Sequence, residues 1–445
     1  MPASRTPSPP TALAARTVAA RDLPAMRGAA EAIVFDRPGL TLTGWGVAAV
    51  LTLPGGLDDA TARAAARRWL AQVPVDDAVG GPGTGPVAFG ALPFDRTEPG
   101  YLVVPEVVYG RDAGRRWLTV IGGPDRLDPA AAWGRLDGAA PTAAAGRNGG
   151  PGGGRPSLTD EPSPAAFVAA VAAAVAALRR GVAAKVVLSR GVTARWAAPV
   201  DLAATLGRLR ANEPGCTVFS YPVLTGPGPG DDGGRFIGAS PELLVERRGP
   251  SLRSVPLAGT IGLAAGPGGT DRADDLLASA KDLEEHRLVI DDMVAALGPS
   301  CAELVVPDGP SLIRLRSVAH LATELTGRLV PVDGVLPDAL DLVAAVHPTP
   351  AVGGSPRQPA LALIAQLEEG RRGHWGGPVG WLDAAGDGDW VVGIRSATVW
   401  RATAQLRAGV GLVPGSEPDA ELAETTLKLL PVLEALAPGS GALVG

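Results

Sequence analysis

The stretch from Ser163 to Arg190, SPAAFVAAVAAAVAALRRGVAAKVVLSR, joins the two kinds of element from which this chain is built. Ser163 carries a hydroxyl that can accept from the amides of a first helical turn, and Pro164 has no amide to lose there. Phe167, Val171, Val175 and Leu178 recur at helical spacing, and Gly181 stands where a helix C-terminus favours glycine. A strand opens at Lys185. Period-2 alternation places Lys185, Val187 and Ser189 on one face and Val186 and Leu188 on the other.

Upstream, Ala32 to Ile121 holds apolar runs of strand character, such as Tyr101-Leu102-Val103-Val104 and Trp117-Leu118-Thr119-Val120-Ile121, with a helical stretch from Asp58 to Leu70. Downstream, Asp271 to Leu297 predicts one long helix ended by Gly298. Trp390 to Trp400 and Thr403 to Val413 predict two strands joined by a tight turn. Ser416-Glu417-Pro418-Asp419 predicts a capping box at the start of a final helix. Strands dominate without a regular βαβ rhythm, so the expected class is α+β. Residues 1–24, rich in Ala, Pro and Ser, predict a disordered leader, and 25–437 a single domain. Within it, 25–137 form an N-terminal part, 138–162 a flexible Gly/Pro-rich connection, and 163–437 the part that carries the motifs. Residues 226–234 predict a second turn-rich insertion.

With 445 residues the chain can bury a sizeable core, and its 60 glycines and 43 prolines predict many turns. A formal charge of −6, with no cluster of Lys/Arg interleaved with aromatics, argues against a nucleic-acid partner. Cys216 and Cys301, the two cysteines, argue against a disulfide framework or a cysteine zinc site. No apolar run has the length of a membrane span, and the N-terminus lacks the apolar core of a secretory signal. The expectation is a cytoplasmic protein, monomeric, without membrane contact.

Candidate chemistry begins with two acidic pairs. Asp282 and Glu285 share one predicted helix face and Glu421 and Glu424 another, so convergence of the helices would offer four carboxylates to a hard cation such as Mg²⁺. Either pair alone reads first as a solvated helix face and proves little about a site. Lys185 is either a lysine snorkelling at a sheet edge or a partly desolvated general base. Glu242, in Gly238-Ala239-Ser240-Pro241-Glu242-Leu243-Leu244, is either an acid favoured by a helix start or, if enclosed, a proton donor. Arg395, inside a β-rich run, is either exposed at an edge or aimed at a carboxylate. Gly409-Val410-Gly411 and Ala258-Gly259-Thr260 offer backbone amides to an anion, or are simply bulges. His320 and His347 sit in turn-like or strand-end contexts without a second histidine at zinc spacing; His286 and His374 read as structural.

In this order these strings resemble the chorismate-utilising enzymes, the family of isochorismate, salicylate, anthranilate and aminodeoxychorismate synthases. The resemblance runs from about Ser163 to Leu433. It also draws on Pro256-Leu257-Ala258-Gly259-Thr260, Lys281 to His286, His320-Leu321-Ala322-Thr323, His347 to Arg357, Gly376 to Trp381 and Glu421 to Thr425. It implies a four-layer α/β/β/α fold, with large antiparallel sheets packed face to face and helices outside. It also implies chorismate as substrate and Mg²⁺ as cofactor, with Glu285 and Glu424 as direct ligands and Asp282 and Glu421 acting through bound waters. Arg395 and the Gly409 backbone would clamp the enolpyruvyl carboxylate. Gly259, Thr260, His320, Ala351, Val352 and Lys428 would line the same pocket.

Family members that add ammonia carry Gln at the position of Lys185, and those forming an enzyme adduct carry Lys at the position of Ala258. The resemblance therefore implies an isochorismate synthase in which Lys185 activates water for attack at C2 and Glu242 protonates the departing C4 hydroxyl. Its product would feed menaquinone or siderophore biosynthesis. The alternatives are a salicylate synthase, which goes on to eliminate pyruvate, and a non-catalytic chorismate-binding homologue. The string His347 to Gly354 resembles isochorismate synthases. Ile261-Gly262-Leu263-Ala264, where basic residues are usual, and Leu283, where arginine is common, depart from the family pattern.

Overall fold

A computed structural model describes residues 13–23, 30–138, 154–224, 233–263 and 273–439. Among them the strands form sheets of thirteen, nine and three strands. In the largest sheet Lys185–Arg195 lies between Ser157–Glu161 and Thr403–Leu412, and the order continues through Ser396–Trp400, Arg235–Ser240, Thr217–Pro222 and Ile33–Arg37. The nine-stranded sheet has Leu243–Arg248, Gly388–Val392 and Pro378–Asp383 as adjacent strands. The two sheets pack face to face: Phe35, Phe219, Tyr221 and Phe236 of the first meet Phe89, Val379, Trp381 and Val391 of the second in one buried cluster.

Helices cover the outside. Leu206 and Leu209 of Leu202–Asn212, with Leu429 and Val432 of Pro418–Leu436, pack on Val192, Ala194 and Leu406 of the larger sheet. Ala60–Gln72 and Ala339–Val346 lie on the far side of the other sheet, where Leu340 and Val343 share a core with Leu244 and Trp390. This is the four-layer α+β arrangement expected from the sequence.

The Ser163 stretch folds as its residues dictate. Ser163 Oγ accepts from the Ala166 amide at 3.3 Å, Pro164 opens the helix Pro164–Arg179, and Gly181 takes a φ of +79° to reverse the chain. Val186 and Leu188 then pack against Phe167, Val171 and Val175 of that helix, with Ala360 and Leu363 of Arg357–Leu367. The alternate residues Lys185, Val187 and Ser189 face the interior between the sheets, where the site is built.

Five local expectations are corrected. Ala14–Ala19, read as part of a leader, is a strand paired with Arg116–Gly122. Its Ala15 and Thr17 are buried, and Thr17 Oγ1 meets Thr119 Oγ1 at 2.8 Å; small residues gave too weak an alternation to mark it. Residues 1–12 lie outside the described residues. Ser157–Glu161, read as flexible connection, is a strand alongside Gly191–Arg195, while 139–153 and 225–232 lie outside the described residues. The long helix is broken at Ser279, whose hydroxyl caps Ala280–Leu297 by accepting from the Asp282 amide and leaves Asp275–Ala278 as a separate turn. Trp390 to Trp400 is not one strand, because Gly388–Val392 and Ser396–Trp400 belong to different sheets. Glu417 rather than Ser416 precedes the last helix; the Ser416 hydroxyl instead accepts from the Val413 amide at 3.2 Å.

Candidate active site

The chain changes sheets at two adjacent places, and each places a charged side chain. Arg235–Ser240 lies in the larger sheet and Leu243–Arg248 in the smaller, so Pro241-Glu242 is the crossover. Gly393-Ile394-Arg395 is the return crossover, from Gly388–Val392 to Ser396–Trp400. The two are laced together: the Val392 amide donates to the Glu242 carbonyl at 3.1 Å, and Ser240 Oγ donates to the Val392 carbonyl at 2.6 Å. Glu242 thus joins two strands and caps no helix. Its side chain is buried, its Oε1 has no hydrogen-bond partner among the described residues, and burial pushes its carboxyl up to about 7.

Arg395 takes a φ of +50°, a conformation that is costly for a side-chain-bearing residue and is held here by the crossover. Its guanidinium is buried, with Nη2 donating to His320 Nε2 at 2.9 Å and Nε without a hydrogen-bond partner among the described residues. Because arginine can only donate, His320 Nε2 must accept, so its proton sits on Nδ1, near Thr260 Oγ1 at 3.1 Å and the Gly259 carbonyl at 3.3 Å. Burial beside Arg395 holds His320 well below the usual histidine range, and it stays neutral. Gly259, at φ +74° in a bulge of Leu257–Gly262, brings that carbonyl inward.

The strand Thr403–Leu412 forms a further wall. Ser189 and Val187 send their amides away from it, to Glu368 and the Gly353 carbonyl, so their partners Gly409 and Gly411 point their own backbone groups away from Lys185–Arg195. The neighbouring strand ends at Ser396 opposite Arg407, which leaves the Gly409 edge facing the pocket; its carbonyl accepts from Lys428 Nζ at 3.0 Å. Both glycines are required. A Cβ on Gly409 would sit 2.5 Å from the Trp375 ring, and one on Gly411 would sit 2.2 Å from Glu285 Oε1 and 2.8 Å from Lys185 Cε.

Glu242, Gly259, Thr260, Glu285, His320, Ala351, Val352, Arg395, Gly409 and Lys428 all line one pocket. Lys185 stands just behind it, 1 % exposed, with Nζ 2.9 Å from Glu285 Oε1. It is neither at an edge nor unpaired. Two of the remaining carboxylates are likewise held by lysines, Glu421 by Lys281 at 3.0 Å and Glu424 by Lys428, while Asp282 accepts from Ser279 Oγ.

Burial alone would raise the Glu285 carboxyl, yet Lys185, Lys428 and Lys281 outweigh it and hold it below the usual range. Asp282 is raised by burial, helped by Glu285 and Glu424, and Glu421 by burial helped by Glu424. The two helices therefore converge, which is the condition on which the two acidic pairs could share a site. The convergence stops short of a closed cage: among the described residues no three acidic, His or Cys side chains stand close enough to hold a metal ion. An all-oxygen donor set whose members repel one another fits a hard divalent cation in chemistry, with the lysines supplying the compensating charge here.

The sequence reading missed Trp375 and Arg407, which line the same pocket. Arg407 was visible as the next residue of the Gly409, Gly411 alternation. Trp375 precedes Gly376-Gly377 but carries no periodic signal. His347 lies elsewhere, its Nε2 donating to the Phe94 carbonyl at 2.9 Å. His286 and His374 are buried, His286 against Thr323 Oγ1 at 2.7 Å and His374 against the Phe236 ring.

Comparison with known proteins adds lineage to this geometry. The profile of a family described as "Chorismate binding enzyme" matches residues 30–437. A Mycobacterium tuberculosis protein provisionally named isochorismate synthase MenF is 40% identical over 361 residues, covering 80% of this chain and 87% of that protein. Isochorismate synthase DhbC of Bacillus subtilis is 36% identical over 356 residues, covering 79% of this chain and 81% of its own length. The menaquinone-specific isochorismate synthase MenF from Escherichia coli shares the fold, with a TM-score of 0.75 at 23% identity over 95% of this chain and 94% of the other.

Proposed function

The chain belongs to the chorismate-binding enzyme family, and from that premise we propose that it is an isochorismate synthase, interconverting chorismate and isochorismate. The observation that carries this reading is the pairing, at one pocket, of a carboxyl that keeps its proton near neutrality, Glu242, with a buried lysine, Lys185. Transfer of hydroxyl from C4 to C2 needs both at once: a group that takes a proton from attacking water and one that gives a proton to the leaving oxygen. Lys185 serves as the base at C2. Glu242 serves as the acid at C4, and the ring double bonds shift between them. On reversal each residue takes the opposite part.

Arg395, braced by His320 and with an Nε that has no hydrogen-bond partner among the described residues, binds the enolpyruvyl carboxylate together with the Gly409 backbone. Lys428, Ala351 and Val352 close the remaining walls. Mg²⁺ would be held by Glu285 and Glu424, with Asp282 and Glu421 behind bound waters, and would supply positive charge to the ring carboxylate. The chain's own part in that arrangement is to turn the two acidic helix faces toward one another and to pair three of the four carboxylates with lysines.

Incubation with chorismate and Mg²⁺, followed by separation of products, tests the reading. Isochorismate approaching a reversible plateau is expected. Salicylate with pyruvate would mean a salicylate synthase, and unchanged chorismate a binding protein without turnover. Exhaustive chelation should abolish activity, and added Mg²⁺ should restore it; full turnover in chelator would remove the metal from the site. Gly411→Ala is expected to lower kcat by about 10²-fold, since its methyl displaces Glu285 and Lys185 by the order of an ångström. An alanine variant with wild-type kcat would show that this contact has no bearing on the reaction.

A further inference from the structure

The edge of the Lys185 strand is covered twice by backbone and once by side chains. Gly354–Ser355 pairs with Lys185 and Val186, and Ser157–Glu161 pairs with Gly191–Arg195. Between them lie the Val187 carbonyl and the Ser189 amide, which no strand reaches. Arg372 Nη2 donates to the Val187 carbonyl at 2.7 Å, and Glu368 Oε1 accepts from the Ser189 amide at 2.6 Å. The two residues bind each other through Arg372 Nε to Glu368 Oε2 at 2.8 Å and a second contact from Nη2 to Oε1. Arg372 Nη1 reaches the Val352 carbonyl at 2.6 Å, on the loop that leads to Gly354.

Both side chains are sequestered, 3 % and 4 % exposed, and the guanidinium lies over the Phe94 ring at 4.3 Å and the Trp375 ring at 5.2 Å. A buried ion pair costs desolvation that burial of apolar residues would not, so its retention calls for a positional reason. Here the pair completes a missing piece of sheet, and it does so beside Val187 and Val352, two walls of the pocket.

We propose that Glu368 and Arg372 are positioning residues for the reaction: a side-chain clip that holds the Lys185 strand and the Val352 loop in register, and with them Lys185 itself. The clip touches neither the pocket's acid nor its carboxylate clamp. This inference rests on the reading of the pocket as an isochorismate synthase site. Its expected signature is a fall in kcat of about 10²-fold, the cost of misplacing a reacting group by about 1 Å, with KM moved less than about threefold.

The test uses the full chain as Glu368→Gln/Arg372→Gln, which removes both charges of the pair and leaves the neighbouring Arg407, 4.0 Å from Glu368, its hydrogen bond to Ser189 Oγ, and as Arg372→Lys, which keeps the charge but lacks the planar fork. Steady-state kinetics with chorismate and backbone amide exchange are measured on both. Lowered kcat with near-constant KM, and faster exchange confined to residues 185–190 and 349–354, is the expected result in each variant that folds. Should the double variant fail to fold, Arg372→Lys carries the same expectation.

Turnover within twofold of wild type, or unchanged exchange in those segments, would overturn the proposal. The exchange measurement reads the clip independently of turnover. A wild-type chain inert toward chorismate therefore sinks the functional reading, while faster exchange in the variants would still support the clip.

Discussion

Lys185→Ala is expected to lower kcat about 10²–10⁴-fold, the usual contribution of a positioned base, while KM for chorismate changes little. The small effect on KM follows from placement: Lys185 stands behind the pocket rather than lining it, and the carboxylate clamp of Arg395 and Gly409 does not depend on it. The substitution also strips Glu285 of its nearest cation. Breaking a buried pair from one side typically costs about 3–5 kcal/mol, so the melting temperature should fall together with turnover. A thermal-shift titration with chorismate separates the two effects, because a variant that still binds substrate is folded at the site. Near wild-type turnover in that variant would end the base assignment.

Glu242→Gln is expected to be similarly impaired, since the amide keeps the shape and supplies no acidic proton. The wild-type enzyme should show the same group in its pH profile. Burial raises the Glu242 carboxyl to about 7, so the acid is protonated below that pH, and the forward rate should decline as pH rises through it. The stability sign is opposite for the variant. The folded state holds this proton more tightly than the unfolded one, so the group favours folding below the ordinary carboxyl range and that contribution is lost as pH rises through about 7. Glu242→Gln removes the burden of a buried charge and should be the more stable protein at pH 8, by up to about 3 kcal/mol. A variant both active and less stable there would contradict the assignment on two counts.

Much of this was legible in the chain. Ser163, Pro164 and Gly181 set a helix and its end through local chemistry, and the strand after them followed from alternation alone. The acidic pairs at helical spacing marked which helix faces could share a site, but not that the two helices converge. What could not be read were the tertiary consequences of residues without periodic signal. Arg395 looked like a charge inside a strand because its φ of +50°, which breaks the run into two sheets, leaves no mark in composition. The pairing of Lys281 with Glu421 was equally hidden, since the two sit on different helices and only packing brings them together, whereas Lys428 stands four residues after Glu424 on one helix and that pair was open to the sequence. Ala14–Ala19 escaped because alanine and threonine bury as easily as they stay in solvent.

The two crossovers carry a consequence for how this protein tolerates change. Glu242 and Arg395 each stand at a point where the chain leaves one sheet for the other, so their separation is fixed by how the sheets lie against each other. Substitutions among Phe219, Phe236, Val379 and Val391, none of which lines the pocket, would slide one layer over the other and be felt as lost turnover before they are felt as unfolding. Among the outer helices, Ala280–Leu297 and Pro418–Leu436 share that constraint because they carry Glu285 and Lys428 to the pocket, whereas Ala60–Gln72 and Leu202–Asn212 bring no residue to it. Adaptation to heat or to new surroundings has those two helices to work with, whereas the seam between the sheets is where the chemistry keeps its alignment.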